Sequence, residues 1–452
     1  MTAGASGQQQ LSLLQGWLPP TVQIIAASAL LLAIGWRSRR WRLVWLPIAL
    51  VIGALVAFAL HWYIGSEGLS DEPAPPALWV WTALSGSAIA LLVTGWRGTR
   101  WWRRGLATVS VPLCLLCAAL ALNLWVGYFP TVDTLWNQAT SAPLPDETKP
   151  AAVVAMQQAR QIPPSGTVVP VKIGSAASGF THRDEYVYLP PAWFASSPAP
   201  KLPTLMMIGG EFNTPSDWLR RGNAIKTADD FAAAHHGSAP VMVFVDTGGS
   251  FNNDTECVNG TRGKAADHLT KDVVPFMTAT YGVSADRRNW GVVGWSMGGT
   301  CAVDLTVMHP DLFSTFEDIA GDIAPNAGNR TQTIARLFGG NAARYADFDP
   351  MAVIAAHSYH DVTAWYDISG PVLSRALPAQ TVAATSLCNL GNAHGINCAV
   401  VAQPGKHDWP FAAQAFGTAL PWLAGQVGTP GVPRLSLPGA PTPAVTLQAA
   451  GR

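Results

Sequence analysis

The chain has 452 residues, more than one small domain needs, of which 49% are hydrophobic and only 12% charged. That is apolar for a protein living wholly in water, and a formal net charge of zero gives no electrostatic footprint for nucleic acid. The zero is unevenly made: residues 1–128 hold eight Arg and three acids, a net +5, and the remainder carries −5, so the two parts are read separately.

Residues 1–128 contain four apolar runs, Pro20–Trp36, Leu43–Gly65, Ala77–Trp96 and Leu106–Phe129, none with an Asp, Glu, Lys or Arg. At 1.5 Å per residue each approaches the ~30 Å of a hydrocarbon core, and the backbone there satisfies itself best as helix. A four-helix transmembrane region is therefore expected, its first run the shortest. No basic stretch precedes that run and three more follow it, unlike a signal peptide. The first connection, "RSRRWR" (Arg37–Arg42), and the third, "RGTRWWRR" (Arg97–Arg104), carry four Arg each; the second, "SEGLSDEPAPP" (Ser66–Pro76), carries only acids. The positive-inside rule places loops one and three in the cytoplasm and everything after Phe129 outside the inner membrane. Trp and Tyr at the run ends (Trp36, Trp41, Trp62, Tyr63, Trp96, Trp101, Tyr128) read as interface anchors, and His61 as interfacial. No charge lies within a run, which argues against a transporter. Cys114 and Cys117 are read as small apolar filler rather than a metal or redox pair.

Residues 129–150, with prolines at 130, 143, 145 and 150, read as an extracytoplasmic linker, and 428–452 as a Pro/Ala-rich disordered tail. Between them, 151–427 alternates. Strand-like runs are "EYVYLP" (185–190), "TLMMIGG" (204–210), "PVMVFVD" (240–246), "WGVVGW" (290–295), "FEDIAG" (316–321), "VTAWYD" (362–367) and "NCAVVA" (397–402). Helical patterns intervene, among them 263–282 and 408–426. Such alternation predicts an α/β fold with a mostly parallel sheet covered on both faces, whose sites form at the carboxyl ends of strands.

One such end is "GVVGWSMGG". A β-rich run enters Gly294-Trp295-Ser296-Met297-Gly298, and the helix-compatible "GTCAVDLTVMHP" follows. Strand–turn–helix is the context a nucleophile elbow requires. Ser296 must take a strained backbone there, and Gly294 and Gly298 leave room for it. The following helix offers free N–H groups, so the Met297 N–H is a natural oxyanion donor. A second donor should come from the loop after the third strand, where Gly209, Gly210 and Glu211 lie, and the Glu211 N–H is favoured.

A serine nucleophile needs a base, and the base an orienting acid, in the chain order Ser, acid, His. His407, in "AQPGKHDW" between an apolar run and the last helix, is the expected base. His394 reads as structural and His309 as a helix-end residue. No Asp or Glu occurs from Ile368 through Lys406. Asp367, ending "VTAWYD", is therefore the expected acid, with Asp361 as runner-up and Asp318 and Asp322 left to packing or substrate contact. Cys257, Cys301, Cys388 and Cys398 are an even number, which fits disulfides in an oxidising compartment, with a thiol–metal site as the alternative. No cofactor, metal or nucleic-acid partner is expected.

Together these residues resemble the esterase D superfamily, the α/β-hydrolase branch that includes the antigen 85-type mycolyltransferases of actinobacterial envelopes. "YVYLPPAW", "LMMIGGEFNTPSDW", "HLTKDVVPFMTATYGV", "GWSMGG" with "HPDLF", and "GKHDW" carry the resemblance over about 180–425. It implies an α/β-hydrolase fold and a triad of Ser296, Asp367 and His407. In that family an acid usually follows the Gly after the seventh strand, and "DISGPVLS" has none. Four spans followed by an outward esterase domain, with "DTECVNG" and "GGTCA", also resemble a group of actinobacterial envelope proteins. That resemblance implies disulfides Cys257–Cys301 and Cys388–Cys398. The expected function is hydrolysis of an acyl ester of a lipid or cell-envelope component through an acyl-serine. The alternatives are acyl transfer to an envelope sugar, or a scaffold that kept the fold and lost the chemistry. Aminoacylated phospholipid, mycolate ester and acetylated glycan are the esters considered.

Overall fold

The computed structural model describes residues 11–35, 38–67, 74–96, 99–140, 144, 147–370 and 379–439. The chain divides into two compact units. The first is Met1–Pro143 with Ala327–Gln332 and His407–Trp409; the second is Leu144–Asn326, Thr333–Lys406 and Pro410–Arg452.

The first unit is built on four helices: α1 (Leu18–Ile34), α2 (Leu46–Glu67), α3 (Pro76–Gly95) and α4 (Trp101–Val126). Among the described residues, three segments are long and apolar enough to cross a membrane: Trp41–Glu67, which contains α2, and α3 and α4. The expectation of four is corrected here. Trp17 and two prolines open α1 and Gly35, at φ 56°, closes it, so it has 17 residues and spans only about 26 Å. Small residues let the helices approach closely. A side chain on Gly53 would run into the Ala83 carbonyl and the Ser87 hydroxyl, so α2 and α3 meet backbone to backbone. Cys114 and Cys117 are fully buried in this bundle beside Leu30, Trp41 and Trp81, as apolar filler would be. Ile24, Leu31, Val51, Leu55 and Phe58 point outward instead.

The second unit is an eight-stranded sheet flanked by helices. Its strands are β1 (Thr167–Val171), β2 (Glu185–Leu189), β3 (Thr204–Ile208), β4 (Val241–Val245), β5 (Trp290–Trp295), β6 (Thr315–Ile319), β7 (Val362–Ser369) and β8 (Ile396–Gln403). Their order is β1-β2-β4-β3-β5-β6-β7-β8. Strands β4 through β8 in that order are mutually parallel, and β2 joins β4 antiparallel. Leu205–Ile208 and Val241–Phe244 are wholly inaccessible, because a parallel sheet is covered on both faces. All seven expected strands form. The eighth, β1, was not anticipated: its sequence "TVVPV" holds Pro170, which lacks a ladder donor and is tolerated because β1 is an edge. Chain direction across the sheet reverses at β3, which pairs with β4 on one side and β5 on the other. The crevice outside the carboxyl ends of β3 and β5 is thus a topological switch point, where open parallel sheets place their sites.

A helix also forms within the stretch expected to be a linker, at Val132–Ala139, and another, Pro150–Gln158, begins at its last residue. Residues 440–452 of the expected tail lie outside the described residues. Both disulfides implied by the resemblance are formed, Cys257–Cys301 and Cys388–Cys398.

Candidate functional site

The elbow forms for local reasons. Strand β5 is buried throughout and delivers the chain to Ser296 at φ 58°, ψ −124°, a region an L-residue enters at a cost of about 1–3 kcal/mol. The helix Met297–Met308 starts at the next residue, and the Gly299 N–H closes its first turn on the Ser296 carbonyl (2.7 Å). A methyl group on Gly294 would overlap the Gly298 carbonyl oxygen. One on Gly298 would sit 2.5 Å from the Ile208 carbonyl oxygen and 2.6 Å from that of Gly209. The turn therefore closes on the end of β3, and only glycine fits at either position. Trp295 is buried against Phe411, ring centroids 6.2 Å apart. Met297 opens the helix, so its N–H has no intrahelical carbonyl to meet.

The loop after β3 lies directly on this elbow. A Cβ built on Gly210 would be 3.0 Å from the Ser296 Cβ. The Gly210 N–H donates to Asn213 Oδ1 (2.8 Å), which takes it out of contention as an oxyanion donor and is compatible with the choice of Glu211. Asn213 is itself held from behind. Arg183 Nη2 donates to the Asn213 carbonyl (2.7 Å) and to Asp246 Oδ1 (2.6 Å), at the end of β4. Burial alone would raise the Asp246 carboxyl, but the hydrogen bonds and charge of Arg183 outweigh it and hold that carboxyl below its usual range. Sequence reasoning missed Arg183 and Asn213. Their partners lie 30 and 63 residues away from Arg183, and no local pattern marks them.

Carboxylates crowd the same region. Cys301, five residues into the nucleophile helix, is bonded to Cys257, which brings the loop Asp254–Cys257 against that helix. Glu256 is almost wholly buried, and its Oε2 has no hydrogen-bond partner. Burial first, then the charges of Asp254, Asp322 and Glu211, push it well above the carboxylate range. Asp254 is pushed to about 6, again chiefly by burial. Asp318 Oδ1 accepts from the Gly321 N–H (2.8 Å), and a Cβ on Gly299 would strike it, so Asp318 packs under the helix start. Burial raises it to about 7.

Asp367 is fully buried within β7, paired in register with Val401 of β8. Its Oδ1 accepts from Gln403 Nε2 (2.6 Å), and Gln403 Oε1 is in turn held by Gln414 and Thr418. Burial pushes Asp367 up to about 6 against that hydrogen bond, and its neighbour Glu317 lies well above the carboxylate range, by burial first and the Asp367 charge second. Asp361, the runner-up acid, precedes the amino end of β7 and faces Arg287 (3.8 Å). In a parallel sheet that is the wrong end, roughly 26 Å of strand away. His407 lies in the turn after β8, two residues before the last helix, Trp409–Gln426. Desolvation lowers its imidazole to about 4. Two of the remaining downstream histidines are tied to backbone: His357 Nδ1 to the Val353 carbonyl and His394 Nδ1 to that of His357.

Among the described residues, one group has metal-ligand types close together: His182, Glu185 and His268. Both ring nitrogens of His182 face backbone carbonyls (Arg183, 2.9 Å; Ile173, 2.8 Å), and His268 lies between Glu185 (3.1 Å) and Asp272 (3.4 Å). Burial would lower His268, but the two carboxylates outweigh it and raise its pKa. The group reads as a hydrogen-bonded core cluster.

The Esterase family model matches residues 181–422, which hold the elbow, the loop after β3 and the turn after β8. An uncharacterized protein of Corynebacterium glutamicum is 28% identical over 426 residues, covering 90% of this chain and 95% of its own. The MPT51 antigen of Mycobacterium leprae is 26% identical over 153 residues, 31% of this chain and 48% of that protein. Among solved structures, an S-formylglutathione hydrolase from Agrobacterium tumefaciens covers 58% of this chain and 95% of its own at 14% identity and a TM-score of 0.47. With more than half of its length matched by that family model, the chain belongs to the Esterase family and has its α/β-hydrolase fold.

Proposed function

We propose that the protein is a membrane-anchored serine esterase that hydrolyses an acyl ester of a lipid or cell-envelope component outside the cytoplasmic membrane. The observation that carries this reading is Ser296. It sits at positive φ between a buried strand and a helix N-terminus, with the loop after β3 against it. In the proposed cycle His407 takes the Ser296 proton as the hydroxyl attacks the acyl carbonyl. The Met297 and Glu211 N–H groups hold the oxyanion. Asp367 supports the imidazole, and its bond to Gln403 is the contact that must rearrange or be bridged for it to do so. Water then releases the acyl group from Ser296. Three long apolar segments and the outward-facing apolar side chains of the first unit support confinement to a bilayer. The paired cysteines support an oxidising compartment. Protease added to intact spheroplasts should cut beyond Phe129, and protection of that region would refute the orientation.

Glu211, Asp254, Glu256 and Asp322 form a carboxyl cluster beside the nucleophile helix, in which burial and mutual repulsion keep Glu256 protonated until a cation enters. Of the esters considered, this favours an aminoacylated phospholipid, whose ammonium group a carboxylate cluster stabilises. Purified protein in detergent should release amino acid from aminoacyl-phosphatidylglycerol. Labelled acyl donor with trehalose separates hydrolysis from transfer by its products. Turnover of trehalose mycolate but not of the aminoacyl lipid would redirect the substrate assignment.

With His407 as base, the sign of its shift sets the pH profile. The imidazole is neutral, and able to accept a proton, at every pH above about 4. Protonation of Asp367 at about 6 removes the support of the imidazole, so kcat/KM should fall in two steps, a partial one near pH 6 and a complete one near pH 4. Complete loss in a single limb between 6 and 7 would mean that the base titrates as an ordinary histidine, or is another group.

Arg183 acts through Asn213. Arg183→Ala should lower kcat about 100-fold with KM little changed, because loosening the loop after β3 misplaces an oxyanion donor. Arg183→Lys keeps the charge but not the fork, and should recover part of the loss. A KM effect without a kcat effect would assign Arg183 to binding instead.

A further inference from the structure

The first unit has a cleft of its own. It is a small, partly open cleft among α1, α3 and α4, lined by Arg103, Arg104, Thr99 and Ser110, with Trp41 and Trp96 at its wall. We propose that this cleft binds the phosphate of an anionic lipid headgroup, independently of whatever chemistry Ser296 performs.

The charges need such a ligand. Arg103 and Arg104 occupy the first turn of α4, where the helix end already carries partial positive charge. Their Nε atoms are buried and have no hydrogen-bond acceptor. Each guanidinium lies over an indole, Arg103 over Trp102 (4.9 Å) and Arg104 over Trp96 (5.7 Å), which stabilises the cation but leaves its N–H edge to an acceptor. Arg103 also packs against Gly35, where a side chain would collide with it, so its guanidinium is fixed beside the end of α1. No carboxylate is at hand in the surrounding sequence: residues 1–66 and 73–132 contain no Asp or Glu, although eight Arg lie within them. Among the described residues, no ion pair joins Arg103 or Arg104 to an acid.

Phosphate fits this set better than other anions. Guanidinium forks match its oxygens two at a time, and the Thr99 and Ser110 hydroxyls on the cleft wall already donate to the Gly95 and Ala107 carbonyls, which leaves the arginines as the donors. Tryptophans at the same level mark the depth at which headgroup phosphates lie. Basic pockets between helix ends are a known form of anionic headgroup recognition.

The test uses the full chain in neutral detergent. It is titrated with phosphatidylglycerol and with phosphatidylcholine, and bound lipid is read by native mass spectrometry and by the fluorescence of the cleft tryptophans. Wild type should retain phosphatidylglycerol in preference to phosphatidylcholine. The double variant Arg103→Gln/Arg104→Gln should weaken that retention roughly tenfold to a hundredfold. Arg39→Gln/Arg40→Gln removes the same charge from exposed positions at the same end, and should change it less than about threefold. Circular dichroism checks that both variants fold. If the cleft variant does not fold, the wild-type preference and Arg103→Lys/Arg104→Lys, which keeps charge without the fork, still decide the matter. Displacement by millimolar inorganic phosphate would identify a free anion as sufficient, and resistance to it would identify the lipid as the ligand. Equal retention of the two lipids, or an equal loss in the exposed control, would overturn the proposal.

Discussion

Ser296→Ala is expected to lower ester hydrolysis about 10⁴- to 10⁶-fold and to abolish labelling by a fluorophosphonate probe, with the thermal midpoint nearly unchanged. The size follows from the nucleophile's place in the reaction: without the hydroxyl no acyl-enzyme forms, and only oxyanion stabilisation and binding remain. The stability expectation follows from the site. Ser296 is only half-buried, and the change removes one oxygen while leaving Gly294 and Gly298 to make the turn. A variant that labels as strongly as wild type would end the nucleophile assignment. Wild-type protein that folds but never labels would favour a scaffold that lost its chemistry.

Loss of the Cys257–Cys301 disulfide should cost about 4 kcal/mol, because it closes a loop with a sequence separation of 44 residues and so removes much entropy from the unfolded chain. For a unit of this size that corresponds to a fall of roughly 8–16 °C in the thermal midpoint of Cys257→Ala/Cys301→Ala. Cys388–Cys398 spans only 10 residues and should matter less, about 3 kcal/mol on the same reasoning. The larger bond has a second consequence. It ties the loop carrying Glu256 to the helix that begins after Ser296, so its loss should reduce kcat before the unit unfolds. Calorimetry with and without reductant reads the first effect, and the rate at a temperature well below the midpoint reads the second. A midpoint indifferent to reductant would show that the bond is not formed in solution.

The parts of the site that were legible in the sequence are those whose physics is local. The elbow is set by glycines two residues either side of Ser296, where any side chain would strike the Gly298 or Ile208 carbonyl. The inner apolar runs became strands because a sheet covered on both faces demands continuous burial, while "NCAVVA" forms the partly exposed edge strand β8. The even cysteine count and the family resemblance pointed to the pairing that formed. What misled was also local. Four charge-free runs suggested four spans, yet the first forms a helix of only 17 residues, closed by Gly35, and falls short of the other three. Pro170 hid β1, because its cost depends on lying at an edge, and edges are decided by strand order.

By itself, then, the sequence determined the two-part character of the chain, the α/β class of its larger part and the position of the nucleophile turn, since composition, periodicity and glycine spacing act over a few residues. The tertiary structure alone decided which groups surround that turn. Arg183 reaches Asn213 and Asp246, Gln403 meets Asp367 across paired strands, and Glu256 gathers carboxylates around itself. Each joins residues tens of positions apart, and the electrostatics of a buried charge depend on which neighbours the fold brings to it.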